Sequence, residues 1–269
     1  MPFKRDISNQ YIGINQQLVI PGDNILQFLI EYNKHPNTHF EFRSNASKIH
    51  FETELNSELT KLFSFFNIDE TNAIKFIQER INTLVNKNRH FMDINWHMFI
   101  YLNEFRKGEY ALIPDPQGTH RYTYNEKGYI IDTYSIQLTN NELQNKTNIE
   151  KFIIENDLSD AIILKDNYIE KLSKNELYIY YEDTIYTPPL QYNSNKCICD
   201  IVNTILEKEG HTLKKALFPI SLLEESTEIF MVHIHKGIQW VGFYKNIRFT
   251  NSISKRIFQQ LEGYLQTNH

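Results

Sequence analysis

Thr187-Pro188-Pro189-Leu190, Lys196-Cys197-Ile198-Cys199 and Thr227-Glu228-Ile229-Phe230-Met231-Val232-His233-Ile234 follow one another in the last third of the chain. The first of these stretches follows directly on a strand read over Asp183 to Tyr186. A helix then opens near Lys196 and runs to about Glu209. Its apolar residues Ile198, Ile201, Val202, Ile205 and Leu206 fall at i, i+3, i+4, i+7 and i+8, and Gly210 is placed to close it. Ile229 to Val232 and Ile238 to Phe243 read as strands around a turn at Lys236-Gly237. A terminal amphipathic helix carries Ile253, Ile257, Leu261 and Leu265.

Upstream, Asp160 to Leu164, Glu176 to Tyr180 and Asp183 to Tyr186 read as strands joined by tight turns. The N-terminal part begins with a strand over Tyr11 to Asn15 that turns at Pro21-Gly22-Asp23. Leu55, Leu59, Leu62, Phe63 and Phe66 form a helical stripe. A second helix begins at Asp69 and aligns Ala73, Phe76, Ile77, Ile81 and Leu84. His97 to Leu102 is a buried strand. Pro114-Asp115-Pro116-Gln117-Gly118 reads as a linker. The expected division is a smaller α/β domain over 1–118 and a larger one over 119–269.

Composition sets bounds on function. The chain has 269 residues, 41% hydrophobic and 23% charged, as in an ordinary globular protein. A net charge of −5 gives no reason to expect nucleic-acid or anionic-membrane partners. No apolar run is long enough for a membrane span. The N-terminal residues lack the apolar core of a signal peptide, so a cytoplasmic protein is expected. The two cysteines, Cys197 and Cys199, are too close together to staple a fold. Nine glycines supply few nucleotide cradles, and no Gly-rich phosphate loop, H-E-x-x-H or C-x-x-C pattern is present.

The series from Ser159 onward resembles the fold-type IV pyridoxal-phosphate (PLP) family, which holds the class IV aminotransferases and aminodeoxychorismate lyases. Ser159-Asp160-Ala161-Ile162 stands for that family's D-E-A-L strand, and Tyr168-Ile169-Glu170-Lys171 for its G-x-V-x-E turn. Thr187-Pro188-Pro189-Leu190 matches T-P-P-L, Lys196 to Cys199 the G-I-T-R helix start, and Thr227 to Ile234 the A-D-E-V-F-L-T-G-T segment. Phe40-Glu41 stands near the family's F-E-T. The resemblance implies an α/β (α+β) two-domain architecture like that of the D-amino acid and branched-chain aminotransferases. It also implies a homodimer with an interdomain cleft able to take a small molecule.

Carried over residue by residue, the resemblance implies a degenerate cofactor site. PLP needs a Schiff-base lysine, a carboxylate at its pyridinium nitrogen, and hydroxyls, an arginine and helix-start N–H groups around its phosphate. The lysine position falls on Thr139 or Asn140, with Lys146 the nearest lysine if the alignment is gapped. The phosphate arginine falls on Glu58. The pyridinium carboxylate falls on Lys171, with Glu170 one residue out of register. The phosphate threonines fall on Ile198 and, in Val232-His233-Ile234, on Ile234, with His233 beside it. Glu58 and Lys171 are charge inversions, each repulsive by roughly several kcal/mol in a poorly solvated pocket.

Two functional classes follow. In one, the chain is a class IV aminotransferase or aminodeoxychorismate lyase homologue that has lost conventional PLP catalysis, binds no cofactor, and keeps its dimeric cleft for ligand or protein binding. In the other, it is an active divergent PLP-dependent aminotransferase or lyase acting on a small amino acid or an aminodeoxychorismate-like substrate. A metal site from Cys197, Cys199, His233 and His235 is conceivable, since thiolates and imidazoles ligate zinc. Buried cysteines more often act as small hydrophobes, so no metal is expected there. His39, His50, His90 and His97 are scattered along the chain, with no recognisable Ser or Cys nucleophile.

Overall fold

The computed structural model describes residues 10–267, apart from 16, 21–22, 69–72, 117–121, 123, 135–141 and 190–194. The chain forms two compact units, Met1–Arg121 and Tyr122–His269. Among the described residues, no helix is long and apolar enough to cross a membrane.

The first unit contains β1 (Ile12–Ile14), β2 (Gln17–Val19), α1 (Asp23–Lys34), β3 (Asn37–Asn45), β4 (Lys48–Ile49), α2 (Glu52–Phe65), α3 (Ala73–Asn88), β5 (Asp93–Leu102) and β6 (Gly108–Pro116). Its strands make one antiparallel sheet in the order β2-β1-β6-β5-β3-β4. Phe28 and Ile25 of α1 pack with Phe99, Tyr101, Ala111 and Ile113 on one face of the sheet. The expected stripes of α2 and α3 are buried, with Leu55, Leu59, Ile77, Ile81 and Leu84 all fully covered. The strand anticipated from His97 starts earlier, at Asp93.

The linker expected at Pro114–Gly118 is corrected over its first three residues, because β6 runs through Pro116. Gln117 and Gly118 lie outside the described residues. Two prolines fit this strand because their missing N–H groups face away from β5. The carbonyl of Pro114 accepts from Gln10 Nε2 at 3.2 Å on that outer side, beyond the Ala111-Leu112 stretch that pairs with β1.

The second unit contains β7 (Tyr129–Tyr134), α4 (Glu142–Glu155), β8 (Asp160–Lys165), β9 (Tyr168–Leu172), β10 (Glu176–Tyr181), β11 (Thr184–Thr187), α5 (Lys196–Lys208), β12 (Thr212–Lys215), β13 (Phe218–Pro219), α6 (Ser221–Glu225), β14 (Glu228–His233), β15 (Gly237–Tyr244), β16 (Ile247–Arg248) and α7 (Ser252–Thr267). Its mixed sheet has the order β12-β11-β10-β14-β15-β7-β8-β9-β13, with β16 beside β15. The apolar face of α5 is buried as its spacing requires. Gly210, at φ 84°, ends that helix. Its N–H reaches Glu207 O and that of His211 reaches Leu206 O, both at 3.0 Å, so the last carbonyls are satisfied.

Two buried carboxylates tie this unit together. Asp160, on β8, accepts from the N–H groups of Ala161 (2.7 Å), Ser173 (3.1 Å), Lys174 (3.3 Å) and Asn175 (3.2 Å), and from the side chains of Ser173 and Asn175. It therefore shapes the turn that delivers Glu176 to β10. Glu228, on β14, accepts from the N–H groups of Ile253 (3.0 Å) and Ser254 (2.6 Å). A strand carboxylate thus satisfies the open donors of the first turn of α7, at the positive end of its dipole.

Candidate functional site

Antiparallel pairing of β10 with β14 sets Glu176 opposite Val232, one residue before the end of β14. Glu176 is buried, at 5% exposure, in a strand whose other residues are mostly apolar. Burial pushes its carboxyl up to about 7. The negative charge of Asp160 adds to the rise, while a hydrogen bond from Asn195 and the charge of Lys171 oppose it. Its Oε1 meets no hydrogen-bond partner among the described residues. Two residues along the strand, Tyr178 is fully covered, stacks on Phe230 and donates to Asn203 Oδ1 at 3.0 Å.

Asn195 precedes α5 and is 1% exposed. Its Oδ1 accepts the backbone N–H of Ile234 at 3.0 Å rather than capping its own helix. Tyr122 closes the same turn. Its hydroxyl donates to Ile234 O at 2.8 Å, and its ring lies over Gly237, where a Cβ would approach Tyr122 Cγ to 2.8 Å. Gly237 also has φ 68°, so the turn favours glycine there on two grounds. The turn is thus held by a side-chain amide beneath the helix start and a phenol on its carbonyl.

The residues anticipated from the sequence are distributed as follows. Lys171 lies on β9 and acts on Glu176 through its charge. Ile198 is fully buried in the apolar face of α5, and Ile234 is 2% exposed within the turn. Glu58 belongs to α2 of the first unit and is buried there, with Lys61 Nζ 2.8 Å from its Oε1. Lys146 lies within α4. Thr139 and Asn140 lie outside the described residues. His233 and His235 do not share a strand face, because β14 ends at His233 and residues 234–236 turn. The N–H of His235 instead donates to Nδ1 of His233 at 3.1 Å. Cys197 and Cys199 are buried, and burial drives the Cys199 thiol well above its ordinary range, so it is held as a neutral thiol. Glu176, Asn195 and Tyr122 were not singled out by the sequence reading. A lone acid heading the apolar run Glu176-Leu177-Tyr178-Ile179-Tyr180 was the available signal.

The first unit holds a second polar cluster, in which two of the scattered histidines meet. The β3–β5 register pairs Glu41 with His97 and His39 with Phe99, which brings His39, Glu41 and His97 to one face of the sheet. The His39 ring stacks on Phe99 (centroids 4.4 Å apart) and on His97 (5.4 Å). Burial opposes charge on His97, yet the Asp115 and Glu41 carboxylates beside it hold it up to about 9. On the same strands Arg43 and Asp93 form a buried ion pair, 2.5 Å between Nη2 and Oδ2. Among the described residues, His39, Glu41 and His97 are the one group of three or more His, Cys, Asp or Glu side chains placed to hold a metal ion.

No protein-family model matches the sequence, and no curated protein sequence matches it closely. Solved structures match it along almost its whole length. The branched-chain aminotransferase from Thermoproteus uzoniensis, solved with norvaline, superimposes with a TM-score of 0.77 at 13% identity, over 97% of this chain and 96% of that one. The branched-chain amino acid aminotransferase of Escherichia coli gives 0.75 at 14% identity, over 95% and 94%. A putative 4-amino-4-deoxychorismate lyase from Legionella pneumophila gives 0.70 at 11% identity, over 88% and 92%. The chain therefore has the mixed α/β fold of the fold-type IV PLP enzymes.

Proposed function

We propose that this chain is a class IV aminotransferase or aminodeoxychorismate lyase homologue that no longer performs conventional PLP catalysis. In this reading it keeps the scaffold, as a homodimer, to bind a small molecule or a protein. One observation carries the proposal. The N–H of Ile234 stands where the family resemblance puts a phosphate-binding threonine, and it is already engaged by the buried Asn195 side chain.

An anion seat needs backbone N–H groups that face the ligand, in a turn as much as at a helix start. Here one such group is bonded internally, Ile198 offers no hydroxyl, and Tyr122 covers the glycine of the turn. Lys171 would add positive charge where a pyridinium needs a carboxylate. The residues present do not fit PLP, so no step through it is derived.

The test is to incubate the purified protein with PLP, record the visible absorbance of lysine-bound cofactor, and map any lysine trapped by borohydride. The proposal expects neither signal at high micromolar PLP. A trapped lysine, Lys146 above all, would overturn it in favour of an active divergent aminotransferase or lyase. Light scattering on a sizing column tests the homodimer, and a monomer mass would refute that part.

A further inference from the structure

We propose that His39, Glu41 and His97 form a binding site for a divalent transition-metal ion of the zinc class. This inference is independent of the PLP reading, because it rests on the first unit alone. His39 Nε2 and His97 Nδ1 are 3.2 Å apart. Glu41 Oε1 lies 3.5 Å from the first and 3.2 Å from the second. Zinc binds nitrogen and carboxylate oxygen at about 2.0–2.1 Å, which sets tetrahedral ligand atoms roughly 3.3 Å apart. The three atoms therefore form one face of a zinc tetrahedron.

The point equidistant from all three lies about 1.9 Å from each, so an ion slightly out of their plane reaches bonding distance without moving a side chain. Ligation needs His97 in its neutral form, so binding of the ion displaces the proton that this ring otherwise holds. The histidine–histidine–carboxylate set leaves a fourth position open to water or another ligand.

The surroundings fit the same role. Coordination through Nδ1 of His97 leaves its Nε2–H directed to Asp115, whose Oδ2 is 3.9 Å away. At that separation the carboxylate acts through its charge, which strengthens a metal-bound imidazole as a ligand. His39 is further oriented by its stack on Phe99. The side chains of His39 and Glu41 are 28% and 19% exposed, against 6% for His97, so an ion has a route in. The charge of Arg43, two residues along β3, is matched by Asp93.

The experiment uses the full chain, stripped with chelator. Zinc is titrated calorimetrically, and cobalt(II) binding is followed by its visible d–d absorption. One ion per chain and a four-coordinate cobalt spectrum are expected. His39→Gln and Glu41→Gln should each weaken zinc at least about tenfold, and Asp115→Asn about ten- to hundredfold. Thermal melts establish that each variant is folded. The partly exposed His39 and Glu41 give two variants suited to that requirement. No saturable binding of either ion to the wild-type chain would overturn the proposal. So would affinities unchanged in both His39→Gln and Glu41→Gln.

Discussion

Replacing Glu176 by Gln removes a titration that burial has displaced. In the folded chain this carboxyl is pushed from an ordinary 4.5 to about 7. Below pH 4.5 it is protonated in both folded and unfolded states and contributes no difference. As pH rises through 4.5 the unfolded chain releases the proton while the folded chain retains it until about 7. The folded state then binds more protons, so stability falls across that window and levels off above it. The separation corresponds to about 3 kcal/mol lost between about pH 4.5 and 8. Urea unfolding of wild type and Glu176→Gln at about pH 5, 6, 7 and 8 measures it. The wild-type profile should slope downward more steeply than that of the variant, and the variant should be relatively more stable at the alkaline end than at the acid end. Parallel profiles across this range would show that Glu176 ionises normally, and the account of its burial would be wrong.

Asn195→Ala leaves the N–H of Ile234 buried without its acceptor and should cost about 1–3 kcal/mol in urea unfolding. Asp160→Asn replaces an acceptor-only group facing four backbone donors. A loss of about 3 kcal/mol, with faster hydrogen exchange at residues 173–175, is expected. Glu228→Ala removes the acceptor for the first turn of α7 and should cost about 2 kcal/mol, with amide exchange at Ile253 and Ser254 rising first. Arg43→Ala strands Asp93 in the interior and should cost about 3–5 kcal/mol in urea unfolding near neutral pH.

The elements that were legible in the sequence carry their burial in their own spacing. The stripe from Ile198 to Leu206 could face only one way, and Gly210 ended it by allowing a left-handed residue. The T-P-P-L and Glu228–Val232 segments were readable through their resemblance to the family's motifs, and with them the fold. Pro114 misled because a proline in a strand is acceptable only when its nitrogen faces outward, and that depends on how far β1 extends along β6. His39 and His97 looked unrelated because their meeting depends on the register of β3 against β5, which neither strand encodes alone. His233 and His235, offered together as possible ligands, are split by the end of β14, because the turn expected at Lys236-Gly237 begins at Ile234. Asn195 was illegible for a subtler reason: a helix-start asparagine ordinarily caps its own helix, and this one gives its oxygen to a different segment.

The reach of Glu228 to α7 also bears on how the second unit is completed during synthesis. The acid belongs to a central strand, but its donors, Ile253 and Ser254, are translated 25 and 26 residues later. A nascent chain that has emerged only as far as β15 has its strands available but no helix to receive that carboxylate. The carboxylate therefore gains these two backbone partners only once α7 has been made, so the last contacts of a central strand are supplied by the helix that follows the sheet.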